Sequence, residues 1–319
     1  MIEGYCNLNN FRVSDTVKTF IQDIQNCLID PDQQFYDVSW NKLEDRAKQT
    51  MGKVAAINTS ETNHEKKGHE FDPILKSFAL GSNGVIDSYD RQKDLNTPLI
   101  IRGVGGGSQK AYRQCWDTGR TFYAVDTGYF GNGKKKIWHR VTKNNLQNLG
   151  PIVERPDDRL KRIEWKFRKF TPGREILICP PSVKIMNLFG QPDPETWTEM
   201  VITELKNYTD RPVRVRLKPS RSERVSTKTI EADLDNNVHC LITYNSIAAT
   251  EALLHGKPAI ALGPNAAQVL CNNKLSEVEK LNIPSREEMN AFARHLSYCQ
   301  FTVNELQNGT AWRIINEGS

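Results

Sequence analysis

The segment from Val238 to Gly263 constrains the fold of this chain more than any other stretch. The apolar run Cys240–Tyr244 is typical of a buried parallel strand, and a second run, Pro258–Leu262, has its proline at the first residue, where a strand tolerates one. A helix of about ten residues fits between them. Ser246 is a good N-cap residue, and Gly256 stands where the residue that ends a helix belongs. Strand, helix and strand in this order predict one crossover unit of a doubly wound α/β sheet.

The turn between the first strand and the helix carries the residue types of a phosphate site. Backbone N–H groups and the positive end of the helix dipole meet there, and Asn245 and Ser246 add side-chain donors. Glu251 follows in the helix, where a carboxylate can accept hydrogen bonds from two ribose hydroxyls. From spacing alone, an ordinary crossover with a capping serine and a surface glutamate is an equally good interpretation.

The pattern N-S-x-x-x-x-E-A-x-x-x-G-x-P, which begins at Asn245, resembles the donor-binding domain of GT-B glycosyltransferases. The resemblance implies that Asn245 and Ser246 contact the pyrophosphate of a nucleotide sugar and that Glu251 holds its ribose. It also implies that the loop of Gly263, Pro264 and Asn265 faces the sugar. The implied fold is α/β, with two Rossmann-like lobes and a cleft between them. Capsule-type transferases, nucleotide-sugar epimerases and phage enzymes that glycosylate hydroxymethylated bases share this superfamily, and the pattern does not choose among them.

Strand and helix patterns alternate along the rest of the chain, which predicts parallel sheets. The expected strands are 53–58, 98–102, 121–125, 175–180 and 213–217, and the expected helices are 14–28, 73–79, 108–118, 194–208, 286–296 and 303–315. The residues Thr171 to Arg174 interrupt this pattern. We therefore expect an acceptor-binding lobe over residues 1–172, a donor-binding lobe over 173–302, and a C-terminal helix within 303–319 that packs back on the first lobe.

Three loops after strands are candidates for the cleft, because ligands of such sheets bind beyond the carboxyl ends of the strands. The first loop contains Gly105, Gly106 and Gly107, which would let the backbone of the acceptor lobe approach the donor sugar closely. It lacks the spacing of a phosphate-binding motif, so a plain flexible turn is the competing interpretation.

The second loop begins with Asp126, which stands at the end of a predicted strand and is a candidate general base. A turn aspartate that caps its own loop is the alternative. The third loop contains Lys218 and Arg221, which would neutralise a diphosphate leaving group or serve as exposed ion-pair partners.

Positive charge is concentrated in the middle of the chain. Residues 101–174 contain 17 Lys or Arg and 6 Asp or Glu, although the whole chain has a net charge of only +5. The densest run contains Lys134, Lys135, Lys136, Arg140 and Lys143, and Trp138, Trp165, Phe167 and Phe170 are interleaved with basic residues. Such a block is usually a solvated face, but it also fits a surface that follows phosphates and stacks on bases.

The run from Ala124 to Gln147 resembles, more weakly, the acceptor lobe of phage-encoded glycosyltransferases that modify DNA. Together the two resemblances predict transfer from a UDP-sugar, of the UDP-glucose or UDP-arabinose type, to 5-hydroxymethylcytosine in double-stranded DNA, without a metal. The rivals are a capsule or lipopolysaccharide transferase, a nucleotide-sugar epimerase and a non-catalytic nucleic-acid-binding protein. Without an apolar span or a signal-peptide pattern, the expected location is the cytoplasm, which is the host cytoplasm if the protein is phage-encoded. The sequence does not assign an oligomeric state.

Overall fold

The computed structural model describes residues 54–58, 72–88, 95–105, 107–132, 137–171, 173–218 and 229–317. These residues form two α/β lobes, each built on its own sheet. The predicted fold class, α/β with two Rossmann-like lobes, is confirmed. The helix expected at 14–28 lies outside the described residues.

The first lobe contains a mixed sheet. Its strands are β1 (Ala55–Asn58), β2 (Val85–Ser88), β3 (Leu99–Arg102), β4 (Phe122–Thr127), β5 (His139–Lys143) and β10 (Gln300–Phe301). They lie in the order β10-β5-β4-β3-β1-β2, and β1 to β4 are parallel whereas β5 is antiparallel to both of its neighbours. The sequence pattern did not predict β2, β5 or β10. The expectation that this sheet is entirely parallel is wrong at the edge formed by β5 and β10, because β5 is antiparallel to its neighbours.

Alternate residues of these strands pack against helices on opposite faces of the sheet. Helix α1 (Pro73–Gly81) covers the face that contains Ile100, and helix α2 (Gly107–Thr118) covers the face that contains Leu99 and Ile101. This alternation is the period-two pattern of a sheet buried on both sides.

The second lobe contains a fully parallel sheet. Its strands, in the order β7-β6-β8-β9, are β6 (Glu175–Ile178), β7 (Val213–Val215), β8 (Val238–Thr243) and β9 (Ala259–Ala261). Its helices are α4 (Val183–Leu188), α5 (Pro194–Leu205), α6 (Ile230–Leu234), α7 (Ala248–Leu254) and α8 (Arg286–Ser297), with short 3-10 turns at Ala266–Val269 and Leu275–Glu277. The predicted crossover unit is therefore confirmed as β8, α7 and β9, with a helix shorter than expected.

Capping residues explain where the longer helices of this lobe begin. The Asp193 carboxylate accepts hydrogen bonds from the N–H groups of Glu195 and Thr196, and Pro194 occupies the first turn. Helix α8 starts with a capping box between Ser285 and Glu288.

The chain returns to the first lobe after α8. Strand β10 joins the first sheet, and α9 (Val303–Gln307) and α10 (Thr310–Ile315) pack on α1. The single helix expected over 303–315 is wrong, because Gly309 adopts a left-handed φ of 83° between the two helices. A Cβ at Gly309 would lie 2.9 Å from the Gly81 carbonyl oxygen, so the interruption also requires a glycine. The exact limits of the lobes drawn from the sequence remain predictions.

Candidate active site

The carboxyl ends of the two sheets approach each other. Tyr129, which follows β4 of the first lobe, is completely buried in the hydrophobic core of the second lobe. The glycine loop after β3 contacts helix α4, since a Cβ at Gly105 would lie 3.1 Å from the Lys184 ammonium. Helix α2 continues this contact, because Gln109 Nε2 donates to the Lys184 carbonyl at 3.0 Å. Loops that follow strands in both lobes thus border one cleft.

Charged residues from both lobes meet in this cleft. The positive charge of Lys218, which follows β7, acts both on Asp126 at the end of β4 and on Glu251 in α7. The three residues selected from sequence as base, leaving-group partner and ribose contact are therefore close enough for their charges to interact. Lys218 is exposed at the cleft.

Asp126 is held by Arg140 on the neighbouring strand. These residues are directly opposed in the β4–β5 ladder, and Arg140 Nη2 lies 3.1 Å from Asp126 Oδ2. Burial alone would raise the pKa of Asp126, but Arg140, the Thr127 N–H, Lys218 and Arg102 together hold it below the usual value. Asp126 is consequently ionised at neutral pH. A carboxylate with a lowered pKa is a weaker base than one with a pKa near 7.

Arg140 is mostly buried and forms hydrogen bonds within the first lobe. Besides Asp126, its guanidinium donates to the Thr127 carbonyl at 2.7 Å and to the Leu146 carbonyl at 3.3 Å. The structure therefore places Arg140 behind the cleft as the partner of Asp126, and not on an exposed surface where a DNA phosphate would bind.

The carboxyl group of Glu251 has a raised pKa. Burial, followed by the neighbouring carboxylate of Glu231, raises the pKa of Glu251 to about 7, although Arg216 and Lys218 act in the opposite direction. Glu251 lies in the first turn of α7, and its role as the ribose contact stays a prediction. A half-buried carboxyl group with a pKa near neutrality is typical of a functional position.

The other residues of the predicted donor turn form bonds within the protein. Ser246 Oγ accepts a hydrogen bond from the Ala248 N–H at 3.2 Å, but the N-cap of α7 is Ile247, so the prediction of Ser246 as N-cap is wrong by one residue. Asn245 donates through Nδ2 to the Pro264 carbonyl. Asn265 donates to the Ser246 carbonyl at 2.8 Å and accepts from the Ala267 N–H at 3.0 Å. These bonds fasten the loop after β9 to the turn after β8, so both asparagine side chains shape the turn.

Gly263 is required by packing. A Cβ at this position would lie 2.6 Å from the ring of Tyr244, and the Gly263 N–H donates to the Tyr244 carbonyl at 2.9 Å. Gly263, in the loop that was expected to face the sugar, therefore packs closely against the ring of Tyr244, which follows β8. Gly107 begins helix α2.

Two arginines of the basic segment after residue 154 form ion pairs and hydrogen bonds with other parts of the chain. Arg159 is 4% exposed and donates to both oxygens of Glu305, at 2.7 and 3.1 Å, and to the carbonyls of Ser297 and Gln300. Arg162 shares Glu305 at 2.8 Å. Because these contacts join α3 (Asp158–Ile163), the end of α8 and the returning C-terminal segment, this charge ties the two lobes together.

The aromatic residues of this segment are buried or partly buried. Trp138 is buried, and Trp165, Phe167 and Phe170 pack against the core of the second lobe. Trp165, Phe167 and Phe170 remain partly exposed, so the stacking of these three rings on nucleic-acid bases stays a prediction, whereas the buried Trp138 is part of the core. Lys143 donates to Asn316 Oδ1 at 3.2 Å and remains partly exposed. Gly106, Lys134, Lys135, Lys136 and Arg221 lie outside the described residues.

Sequence reasoning missed Arg216 and Glu231, whose charges act on Glu251, and Lys184, which lies beside the glycine loop. Arg216 Nε contacts Asp233 Oδ2 at 2.5 Å and its charge acts on Glu251. Arg216 immediately follows β7, so the rule that selected Lys218 also applied to it. In the described part of the chain no cluster of His, Cys, Asp or Glu is arranged to hold a metal ion, and none of its helices is long and apolar enough to cross a membrane.

Comparisons with known proteins give structural similarity only. No protein family and no curated protein matches the sequence. The beta Kdo 2,4 transferase of Thermosulfurimonas dismutans KpsC is similar over 82% of this chain and 98% of its own, with 16% identity and a TM-score of 0.45. The beta Kdo 2,7 transferase of the same KpsC is similar over 83% of this chain and 99% of its own, with 13% identity and a TM-score of 0.45. These values are too low for the likeness to assign an activity.

Proposed function

We propose that this protein is a glycosyltransferase that moves a sugar from a nucleotide diphosphate sugar to an acceptor hydroxyl. The observation that carries the proposal is the charge group of Asp126, Lys218 and Glu251 at the facing edges of two Rossmann-like sheets. Ligands of such sheets bind beyond the carboxyl ends of their strands, which is where these side chains lie.

Each charge has a role in the proposed transfer. Glu251 accepts hydrogen bonds from the ribose hydroxyls of the donor. As the acceptor oxygen bonds to the anomeric carbon and the bond to the diphosphate breaks, Lys218 offsets the charge that develops on the leaving group. Asp126 takes the acceptor proton in an inverting reaction, and Arg140 orients its carboxylate. A retaining reaction would leave Asp126 without this role.

The finer proposal for the donor is a UDP-sugar, and for the acceptor it is 5-hydroxymethylcytosine in double-stranded DNA. Support for DNA is the basic run at Lys134, Lys135 and Lys136, together with the exposed Lys166 and Lys169. An acceptor base can be extruded into a cleft at a cost of a few kcal/mol.

A capsule or lipopolysaccharide acceptor is the second candidate. The observation that favours it is that two arginines of the basic segment, Arg140 and Arg159, are buried in ion pairs within the protein. Less of the basic segment is then available to follow a phosphate backbone than its composition indicates.

Incubation with a panel of UDP-sugars tests the proposal. One arm contains DNA with cytosine or 5-hydroxymethylcytosine and is read by nucleoside mass spectrometry, and the other contains capsule-type oligosaccharides and is read by intact mass. The Glu251→Ala variant is the matched control for donor dependence. Sugar transfer in either arm supports a transferase and chooses the acceptor. If no UDP-sugar is transferred or hydrolysed and none raises the melting temperature, the proposal fails and a non-catalytic nucleic-acid-binding protein becomes the better interpretation.

A further inference from the structure

An interlobe pocket of about 330 Å³ lies where the last turn of α2 meets the end of α4. Trp116, Leu146, Phe189 and Pro264 form apolar parts of its wall, and Asn145 and Asn245 also line it. Both lobes thus contribute to it, and the donor turn supplies Asn245 and Pro264. Its volume lies in the range of small-molecule sites, which combine apolar walls with a few polar groups.

The aromatic wall of this pocket is held in a fixed position. Trp116 stacks on Tyr112 at a centroid distance of 6.1 Å and an interplanar angle of 25°, and meets the edge of Phe122 at 6.1 Å. Across the lobes it contacts Phe189 at 5.9 Å. Although packed in this way, Trp116 remains 37% exposed. A rigid and partly exposed indole is a stacking platform for a planar ring.

Amide groups stand next to this platform. The Asn145 side chain makes no hydrogen bond within the described part of the chain, whereas its backbone is held by Thr142 Oγ1, which donates to the Asn145 carbonyl at 2.5 Å. Gln147, 2% exposed, donates to the Asn245 carbonyl at 2.9 Å, and its Oε1 has no partner among the described residues. An amide offers both a donor and acceptors, which is what the edge of a nucleobase requires.

We propose that this pocket binds a planar heteroaromatic base, with the ring stacked on Trp116 and its edge hydrogen-bonded to Asn145. The inference rests on the proposed function, which supplies two sources of such a ring: the base of the donor nucleotide, and an acceptor base extruded from DNA. Both sources present the same chemistry to the pocket. The position beside the donor turn is compatible with either.

Calorimetric titration separates the two sources. The ligands are UDP, inorganic pyrophosphate and 5-hydroxymethyl-2′-deoxycytidine 5′-monophosphate. The variants are Trp116→Leu, Trp116→Phe and Asn145→Leu, with Leu149→Ala as a control at an exposed site that does not line the pocket. Trp116→Leu should weaken binding of the base-containing ligand by about 5- to 150-fold, the range for loss of a base–aromatic stack, while pyrophosphate affinity stays unchanged. Trp116→Phe should retain most of the affinity.

Weaker binding of UDP alone assigns the donor base, and weaker binding of the monophosphate alone assigns the acceptor base. Melting temperatures show whether Trp116→Leu is folded. If Trp116→Leu does not fold, the affinities of Asn145→Leu test the pocket instead, because Asn145 lies outside the buried core. Unchanged affinities for both nucleotides in folded variants would overturn the pocket assignment but leave the transferase proposal standing. A wild-type protein that binds neither nucleotide would reject both.

Discussion

Replacing Glu251 by glutamine should stabilise the protein at alkaline pH and weaken its binding of the donor. Burial and the Glu231 carboxylate raise the pKa of Glu251 from 4.5 to about 7. The folded state therefore holds this proton more tightly than the unfolded state. Its contribution to stability is complete below pH 4.5 and is lost as the pH rises through about 7. At 1.36 kcal/mol for each pKa unit, the total loss is about 3 kcal/mol.

Glutamine has nearly the same shape and cannot ionise, so the variant escapes this loss. Relative to wild type, we expect Glu251→Gln to gain about 3 kcal/mol in free energy of unfolding at pH 8.5, and about 1.4 kcal/mol at pH 5.5. Urea denaturation at the two pH values measures the difference. Glu287→Gln, at an exposed position on α8, is the matched control for the effect of the substitution itself.

The same variant should lose affinity for a UDP-sugar by about 1.5 to 3 kcal/mol, the usual value of hydrogen bonds to a charged group. Glu251→Ala should lose a similar amount. A gain in stability that accompanies a loss of binding identifies a carboxylate retained for its ligand. The reasoning is refuted if the stability difference between Glu251→Gln and wild type is the same at pH 5.5 and pH 8.5, or if calorimetry finds unchanged donor affinity.

Three further predictions concern the proposed general base, the ion pair that connects the lobes, and the basic run. Asp126→Asn should lower single-turnover transfer by at least about 10²-fold at saturating donor with donor affinity nearly intact, and a rate within a few-fold of wild type would remove Asp126 from the mechanism. Arg159→Ala should reduce the free energy of unfolding by about 3 to 5 kcal/mol because it leaves the buried Glu305 without its main partner; Arg313→Ala, which breaks the exposed pair with Glu317, should change it by less than about 1 kcal/mol. Equal losses in urea denaturation would contradict this. Replacing Lys134, Lys135 and Lys136 by alanine should lower DNA affinity similarly for all sequences and flatten its logarithmic salt dependence by up to about three phosphate contacts, whereas an unchanged slope would mark the run as a solvated face.

The sequence by itself determined the second lobe and the place of the cleft. The apolar run before Asn245 and the glycine after the helix each act over a few residues, and β8, α7 and β9 appear where these local signals predict them. The cleft was predictable because the carboxyl ends of parallel strands meet at one edge of a sheet. This rule selected Asp126 and Lys218 without knowledge of the contacts between them.

Only the tertiary structure decided what the charges of the middle segment do. Lys, Arg and aromatic residues have the same composition whether they face solvent or their own protein, and no local pattern reveals a distant partner. Arg140 pairs with Asp126 because β5 lies antiparallel to β4 in that register, and Arg159 is buried because Glu305, 146 residues away, returns to it. The raised pKa of Glu251 likewise depends on its burial and then on Glu231 from another helix. Burial and long-range pairing set the electrostatics of this site, and both exist only once the chain has folded.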